Sequence, residues 1–302
     1  MGRAVIISDN VRRIKVIDRQ LVGLVDEGNP PPQPIPCEDL DLIAIDSTVP
    51  VVMDTHVLRV LAETQTALII TDRRHIPIGI SLPFFGTLDR GRVLEAQFKM
   101  SVPRKKQLWQ QLVKAKIINQ AANISDENVV RRLKNIARSI KSGDSNNDEA
   151  VAAKLYWQAL VDFPFHRQAG DNTGLNSALN FIYAIVRSLI ARTVTSAGIE
   201  PSLSIFHSNR VNPFALIDDL MEPFRPIADR HVLSSGLEAG DALTVFARKK
   251  LIGIMSVPVQ LDGKVGPLAE VAERFTDDVK RFIFEESNTV AMPTAVDDGH
   301  DQ

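Results

Sequence analysis

Apolar positions in roughly the first ninety residues fall into short, β-branched runs parted by polar, Gly or Pro breaks. The runs are Ala4–Ser8, Arg12–Asp18, Gln20–Val25, Leu42–Asp46, Ala67–Thr71 and Ile78–Leu82, a pattern that predicts strands. Asn29-Pro-Pro-Pro-Gln-Pro34 cannot continue a strand ladder and reads as a loop. One helix fits among the strands, at Asp54–Glu63, with Val57, Leu58, Val60 and Leu61 on its apolar face. From about residue 101 the period becomes helical. Pro103–Asn119 sets Leu108, Leu112, Ala115 and Ile118 on one side and cations elsewhere. Ser125-Asp-Glu-Asn128 offers a capped helix start, and Ser142–Asn147 a loop and N-cap region. Ala150–Val161, Asn176–Ala197, Pro213–Met221 and Pro267–Glu286 complete the helical set. The expected fold is α+β: a small N-terminal β-rich domain (1–92), a larger all-α domain (101–287) and a disordered tail (288–302).

The 302 residues, 44% of them apolar, can bury a sizeable core. A single cysteine, Cys37, excludes a disulfide framework and a Cys-based zinc site. The opening Met1–Ser8 lacks the apolar core of a signal peptide, and no run approaches the ~18 apolar residues of a membrane span. The expectation is a reduced, soluble, cytoplasmic protein. A net charge of −2 argues against nucleic acid, yet it hides an asymmetry. Residues 99–141 carry eleven Lys or Arg against two acids, and acids gather in the tail. Such a face can hold phosphates, or it can be a solvated helical surface.

Candidate chemistry centres on Glu149, His207 and Glu222, because two carboxylates and an imidazole suit a divalent ion that meets a phosphate. Taken singly, each has a plainer reading. Glu149 suits the helix dipole in a first turn, His207 sits at a core edge, and Glu222 can face water. Asp218 precedes Glu222 by four residues, so a continuous helix would place both carboxylates on one side. Asn176, Asn180, Tyr183 and Arg187 run as a polar stripe through an apolar helix, which implies core hydrogen bonding or a ligand contact. Gly-rich phosphate loops, nucleophile elbows and zinc-binding His pairs are missing from the sequence, which disfavours nucleotide hydrolysis and acyl transfer.

At these residues the chain resembles the CRISPR-associated integrase-endonuclease that captures new spacers, in the branch found with type II systems. The likeness runs through Ile35–Leu40, Leu68–Pro77, Leu108-Trp109, Lys116–Ala121, Glu149–Tyr156, Asn176–Arg187 and His207–Pro226. Asp218-Asp-Leu-Met-Glu-Pro-Phe-Arg-Pro226 is its most specific string. The sequence departs at Ser204-Ile-Phe206-His207 and at Ile217, which puts the shape of the pocket mouth in doubt but not the ligands. The resemblance implies that Glu149, His207 and Glu222 bind Mg²⁺ or Mn²⁺, with Asp218 assisting or supporting. It implies a strand transferase and endonuclease that inserts short double-stranded DNA fragments into CRISPR repeat DNA by 3′-hydroxyl transesterification. Its implied partners are a second copy of the chain, paired through the β-rich domain, and a small ferredoxin-like companion. Lys105, Lys106, Lys116, Arg131, Arg132, Arg167, Arg187 and Arg248 are the candidate DNA contacts. The competing reading is a non-catalytic DNA-binding scaffold subunit of the same kind of complex.

Overall fold

A computed structural model describes residues 3–26, 30–72, 77–83, 87–144, 146–161, 165, 167–168, 174–206, 211–237 and 243–296. His207, Asn29 of the proline loop and the end of the tail (297–302) lie outside the described residues.

The N-terminal part holds β1 (Arg3–Ile7), β2 (Val11–Ile17), β3 (Gln20–Val25), β4 (Ile35–Pro36), β5 (Leu40–Ile45), β6 (Val52–Met53), α1 (Thr55–Glu63), β7 (Ala67–Thr71) and β8 (Pro77–Ser81). They form two four-stranded sheets, in the orders β1-β5-β7-β8 and β4-β3-β2-β6. In the first sheet β1, β5 and β7 run parallel and β8 closes the edge antiparallel. Every residue of β5 is buried, as a parallel strand covered on both faces should be. Because side chains alternate across a strand, Leu42 and Ala44 point to one face and Ile43 and Ile45 to the other, while the irregular register between Leu40 and Leu42 lets Leu40 join the second set. The first pair belongs to the core of the helical part, the second set to a smaller core with Val57, Val60 and Leu61 of α1. Asp54 caps α1 by accepting the Val57 amide at 3.0 Å. Leu58, expected on the apolar face, is instead 46% exposed, because α1 covers the sheet with one narrow stripe.

The C-terminal part comprises α2 (Arg90–Lys99), α3 (Val102–Ala121), α4 (Glu127–Ser139), α5 (Asp148–Leu160), α6 (Gly174–Ser196), α7 (Ala215–Leu220), α8 (Arg225–Ser234) and α9 (Val245–Ile252). After them come β9 (Pro258–Leu261), β10 (Lys264–Pro267), α10 (Leu268–Ile283) and β11 (Thr294–Ala295). The expected all-α domain is therefore mostly helical, with a small antiparallel sheet in the order β10-β9-β11. The hairpin turn, Asp262-Gly263, has positive φ at both residues, a geometry that Asp-Gly favours. That third strand also corrects the expectation of a disordered tail up to residue 296. Val290 is buried, its amide donates to Gln111, and β11 pairs with β9. Positions 93–99, left between the two expected domains, belong to helix α2, and Met100 is its C-cap.

α3 is buried on more than one side, with Leu108, Trp109, Leu112, Val113 and Ile117 fully enclosed, while Ile118 turns outward. α6 is the other central helix. By length and composition it is long and apolar enough to cross a membrane, contrary to the sequence expectation. Its most apolar window is 67% buried inside the protein, the position of a core helix.

Candidate active site

The site is built where α3, α5, α7 and α8 meet. α5 starts after Asn147, which adopts the left-handed conformation (φ 57°) that asparagine tolerates. The buried Asp144 accepts the amides of Asp148 at 2.9 Å and Glu149 at 3.1 Å. These bonds satisfy two open N–H groups of the first turn and fix the backbone that carries Glu149.

Glu222 was expected inside a continuous helix. Instead α7 ends at Leu220, and Glu222–Phe224 forms a single 3-10 turn before α8. Pro223 and Pro226 break the helical ladder here by removing two N–H donors. Asn119 donates to the Pro223 carbonyl at 2.8 Å, and Asn123 to that of Pro226 at 2.7 Å. Asn119 lies on α3 and Asn123 just past its end, in a polar stripe with Lys116 and Gln120 at helical spacing. The core helix thus grips the irregular segment that presents Glu222.

That break separates the two acids paired in the sequence. Asp218 turns to Arg187, whose Nε and Nη2 donate to it at 2.6 and 2.9 Å, and accepts Asn212 at 2.6 Å. Glu222 turns inward. Its Oε1 accepts Arg225 Nε at 2.8 Å, and its Oε2 lies 2.5 Å from the ammonium of Lys116. The same ammonium stands 2.5 Å from Glu149 Oε1. Glutamates from two distant stretches of chain therefore converge on one cation position. Burial opposes the Glu222 charge, but Arg225 and Lys116 outweigh it and hold the carboxyl down at about 2. Burial likewise opposes the Lys116 charge, and Glu222 and Glu149 reverse the effect, raising it above an ordinary lysine.

Behind Arg225 lies a second polar group. The guanidinium sits 4.9 Å above the Tyr183 ring. Tyr183 donates to Asp229 at 2.5 Å, and Tyr156 donates to the other carboxylate oxygen at 3.0 Å. Burial pushes the Asp229 carboxyl up to about 6, against the two phenol hydrogen bonds. The polar stripe on α6 is thus a hydrogen-bonded network: Asn176 and Asn180 accept Arg167 at 3.0 and 2.7 Å, Tyr183 holds Asp229, and Arg187 holds Asp218.

His207 itself lies outside the described residues, but the chain leading to it is well held. Asp219 accepts the amides of Ile205 and Phe206 at 2.8 and 3.0 Å. The Phe206 ring stacks on Trp109 with centroids 4.2 Å apart and planes at 4°. Trp109 and Lys116 are seven residues apart on α3, two turns along one face. Among the described residues no group of three acids, imidazoles or thiols forms a metal cluster.

The candidate DNA contacts divide by exposure. Lys106, Arg131 and Arg132 are exposed and Lys105 is half-buried. With Lys134 and Arg138, the arginines give α4 a basic outer face beside a shallow groove. Lys116 and Arg248 do not belong with them. Lys116 is held between the glutamates, and Arg248 is 2% exposed, ion-paired to Asp46 at the end of β5. From that depth neither can lie along a DNA backbone. Arg167 and Arg187 are committed to the α6 network. Sequence reasoning missed Arg225, Asp229, Tyr156, Asp144 and Asp219 as parts of the site. The polar spacing 116, 119, 120, 123 along α3 and its end, its first three positions buried, was the one signal for its core-facing side.

The family model described as CRISPR associated protein Cas1 matches residues 5–239, which include both glutamates, the α3 stripe and the 3-10 turn. The chain belongs to the Cas1 family. A Cas1 relative from Neisseria meningitidis serogroup C (strain 8013), named CRISPR-associated endonuclease Cas1, is 40% identical over 203 residues, 66% of each chain. Across the first three curated Cas1 relatives the chain spans 45% to 66% of their length. Among solved structures, a casposase bound to integration product has a TM-score of 0.74 at 16% identity, covering 95% of this chain and 92% of its own. A Cas6-RT-Cas1–Cas2 complex has a TM-score of 0.69 at 17% identity, covering 95% of this chain and 35% of its own. Both share the architecture of a β-rich part followed by a helical one.

Proposed function

We propose that this Cas1-family chain is a metal-dependent DNA strand transferase and endonuclease that inserts short DNA fragments into CRISPR repeat DNA. The observation that carries the reading is the convergence of Glu149 and Glu222 on a single cation position. Each carboxylate oxygen is 2.5 Å from that point, so the oxygens lie no farther apart than twice that distance. Side-chain adjustment of a few tenths of an ångström brings both to the ~2.0–2.1 Å that Mg²⁺ requires. The donor set of two carboxylates and an imidazole fits Mg²⁺ or Mn²⁺, with His207 the third ligand on a chain already anchored at Phe206. When bound, the ion polarises the scissile phosphate and lowers the pKa of the attacking hydroxyl.

The residues around it have separate tasks. Asp144 and the two asparagines Asn119 and Asn123 hold the glutamates in place, and Arg225 keeps Glu222 ionised. Asp218, 24% exposed and clamped by Arg187, supports α7 rather than the ion. The basic face of α4 holds backbone phosphates without reading bases. In the reaction a 3′-hydroxyl oxygen bonds to phosphorus at the repeat boundary, and the bond to the leaving 3′-oxygen breaks. One phosphodiester replaces another, so no nucleotide hydrolysis is needed. Water in place of the hydroxyl gives strand cleavage at the same site. The reading extends to pairing of two copies through the β-rich part and to a small ferredoxin-like companion protein. In its support, one of the matched structures is a complex of Cas1 with Cas2.

The Lys116 ion pairs also suit the scaffold reading, in which the glutamates are structural. Glu149→Gln separates the two. With the companion protein, Mg²⁺ or Mn²⁺ and a repeat-bearing plasmid, it is expected to retain DNA binding and to lose strand transfer by at least about a hundredfold. Undiminished transfer would establish the scaffold.

A further inference from the structure

The cation at the convergence point belongs to the protein. The Lys116 side chain is only 11% exposed, tethered to the core helix, and in reach of both glutamates at once. With Arg225 on the far oxygen of Glu222, the cluster of Glu149, Glu222, Lys116 and Arg225 is electrically neutral.

We propose that Lys116 is a resident counter-cation of the metal site, holding Glu149 and Glu222 together in the metal-free protein and leaving their oxygens when a divalent ion enters. The inference rests on the reading of these glutamates as metal ligands. An ion bound at ~2.0–2.1 Å from the same two oxygens would occupy the space of the ammonium, and like charges so close repel strongly in a buried setting. Ion and lysine therefore compete, and the protein without DNA binds metal more weakly than the bare glutamate pair would. With Lys116 still tethered beside the glutamates, the added ion gives the cluster a surplus of two positive charges, which an incoming phosphodiester offsets in part. Metal affinity and DNA affinity are thereby coupled, each ligand favouring the other. Lys116 is a positioning residue here, acting through the glutamates.

The test measures Mn²⁺ binding to the full chain without DNA, by electron paramagnetic resonance of the free ion. Melting curves with and without Mn²⁺ accompany it. Lys116→Met is expected to bind Mn²⁺ roughly tenfold or more tightly than the unaltered protein. It should melt lower without metal and gain more on adding it. Lys116→Arg, which keeps the charge, should show no such tightening. Equal or weaker binding by folded Lys116→Met overturns the inference while leaving the metal site intact. Glu222→Gln is the separate control. If it leaves Mn²⁺ binding unchanged, the metal-site reading itself falls, and this inference with it. Should Lys116→Met not fold without metal, Lys116→Met/Glu149→Gln is compared with Glu149→Gln alone. The double variant must then bind Mn²⁺ more tightly.

Discussion

Asp229 shows how far a single buried carboxyl can be displaced from its ordinary behaviour. It lies behind Arg225 with two phenol hydroxyls as donors, yet burial raises it to about 6 from the usual 3.8. An acid whose folded value exceeds its unfolded one binds the proton more tightly when folded. Its contribution to stability is full below pH 3.8 and is lost as pH rises through about 6. Asparagine cannot titrate, so Asp229→Asn should lack this falling limb. Relative to the unaltered protein, the variant is expected to gain up to about 3 kcal/mol across that window. Urea unfolding at intervals of pH from about 4 to about 7.5 checks this, and a difference that stays constant with pH would refute it. Whatever Asn costs in geometry, the pH dependence of the difference isolates the proton.

At the scale of elements, the first turn of α5 and the outer face of α4 carry the most direct consequences for function. Asp144 accepts both leading amides of α5, so Asp144→Ala should cost about 1 kcal/mol of stability, the usual effect of removing a cap. Because the same bonds place Glu149, strand transfer should fall by more than that destabilisation explains, which comparison with a surface helix-cap variant of equal stability would show. On α4, Arg131, Arg132 and Lys134 face solvent with no buried task. Changing all three to Ala should weaken DNA binding without regard to sequence. It should also flatten the plot of log affinity against log salt by up to ~0.9 for each phosphate left without its cation. An unchanged slope would remove this face from the DNA path. The elements themselves were largely readable. The strands at residues 20–25 and 67–71 match the apolar runs residue for residue, because both lie inside their sheets, where a strand paired on two sides leaves a clean pattern. The two-residue strands β4, β6 and β11 were not, since their partners lie far away in sequence and impose the extended form. The site divides in the same way. Glu149 and Glu222 stood out through the family likeness, but Lys116 read as one more cation in a basic stretch. Only the packing of α3 against α5 and the 3-10 turn reveals that its partners are the glutamates themselves. Asp218 turns to Arg187 instead of sharing a face with Glu222, because the helix that i, i+4 spacing assumes ends at Leu220 and a 3-10 turn follows.

For the molecule as a whole, the sheet containing β5 contributes to both of the parts that the hydrophobic pattern divides near residue 92. Its two faces serve two cores, so neither half is complete without it. Two arginines from the helical part reinforce the join. Arg192 on α6 pairs with Asp41 at 2.8 Å, donates to the Gln65 carbonyl at 2.7 Å and reaches Glu273 at 2.9 Å. Arg248 on α9 pairs with Asp46, whose other oxygen accepts the Thr71 hydroxyl at 2.8 Å. A shared sheet and buried pairs across it favour unfolding of the two parts as one cooperative unit. Urea unfolding should therefore follow a single transition, with far-ultraviolet circular dichroism coinciding with fluorescence from Trp109 and Trp157, both in the helical part. Arg248→Met takes the guanidinium from a carboxylate that is itself 1% exposed. Breaking one side of a buried pair costs about 3–5 kcal/mol, and the whole transition should move rather than split. Arg248→Met with Asp46→Asn removes both charges and keeps an acceptor for Thr71, so it should recover a large part of the stability. A biphasic curve in the unaltered protein, or a single variant that melts only one half, would show that the parts fold separately after all.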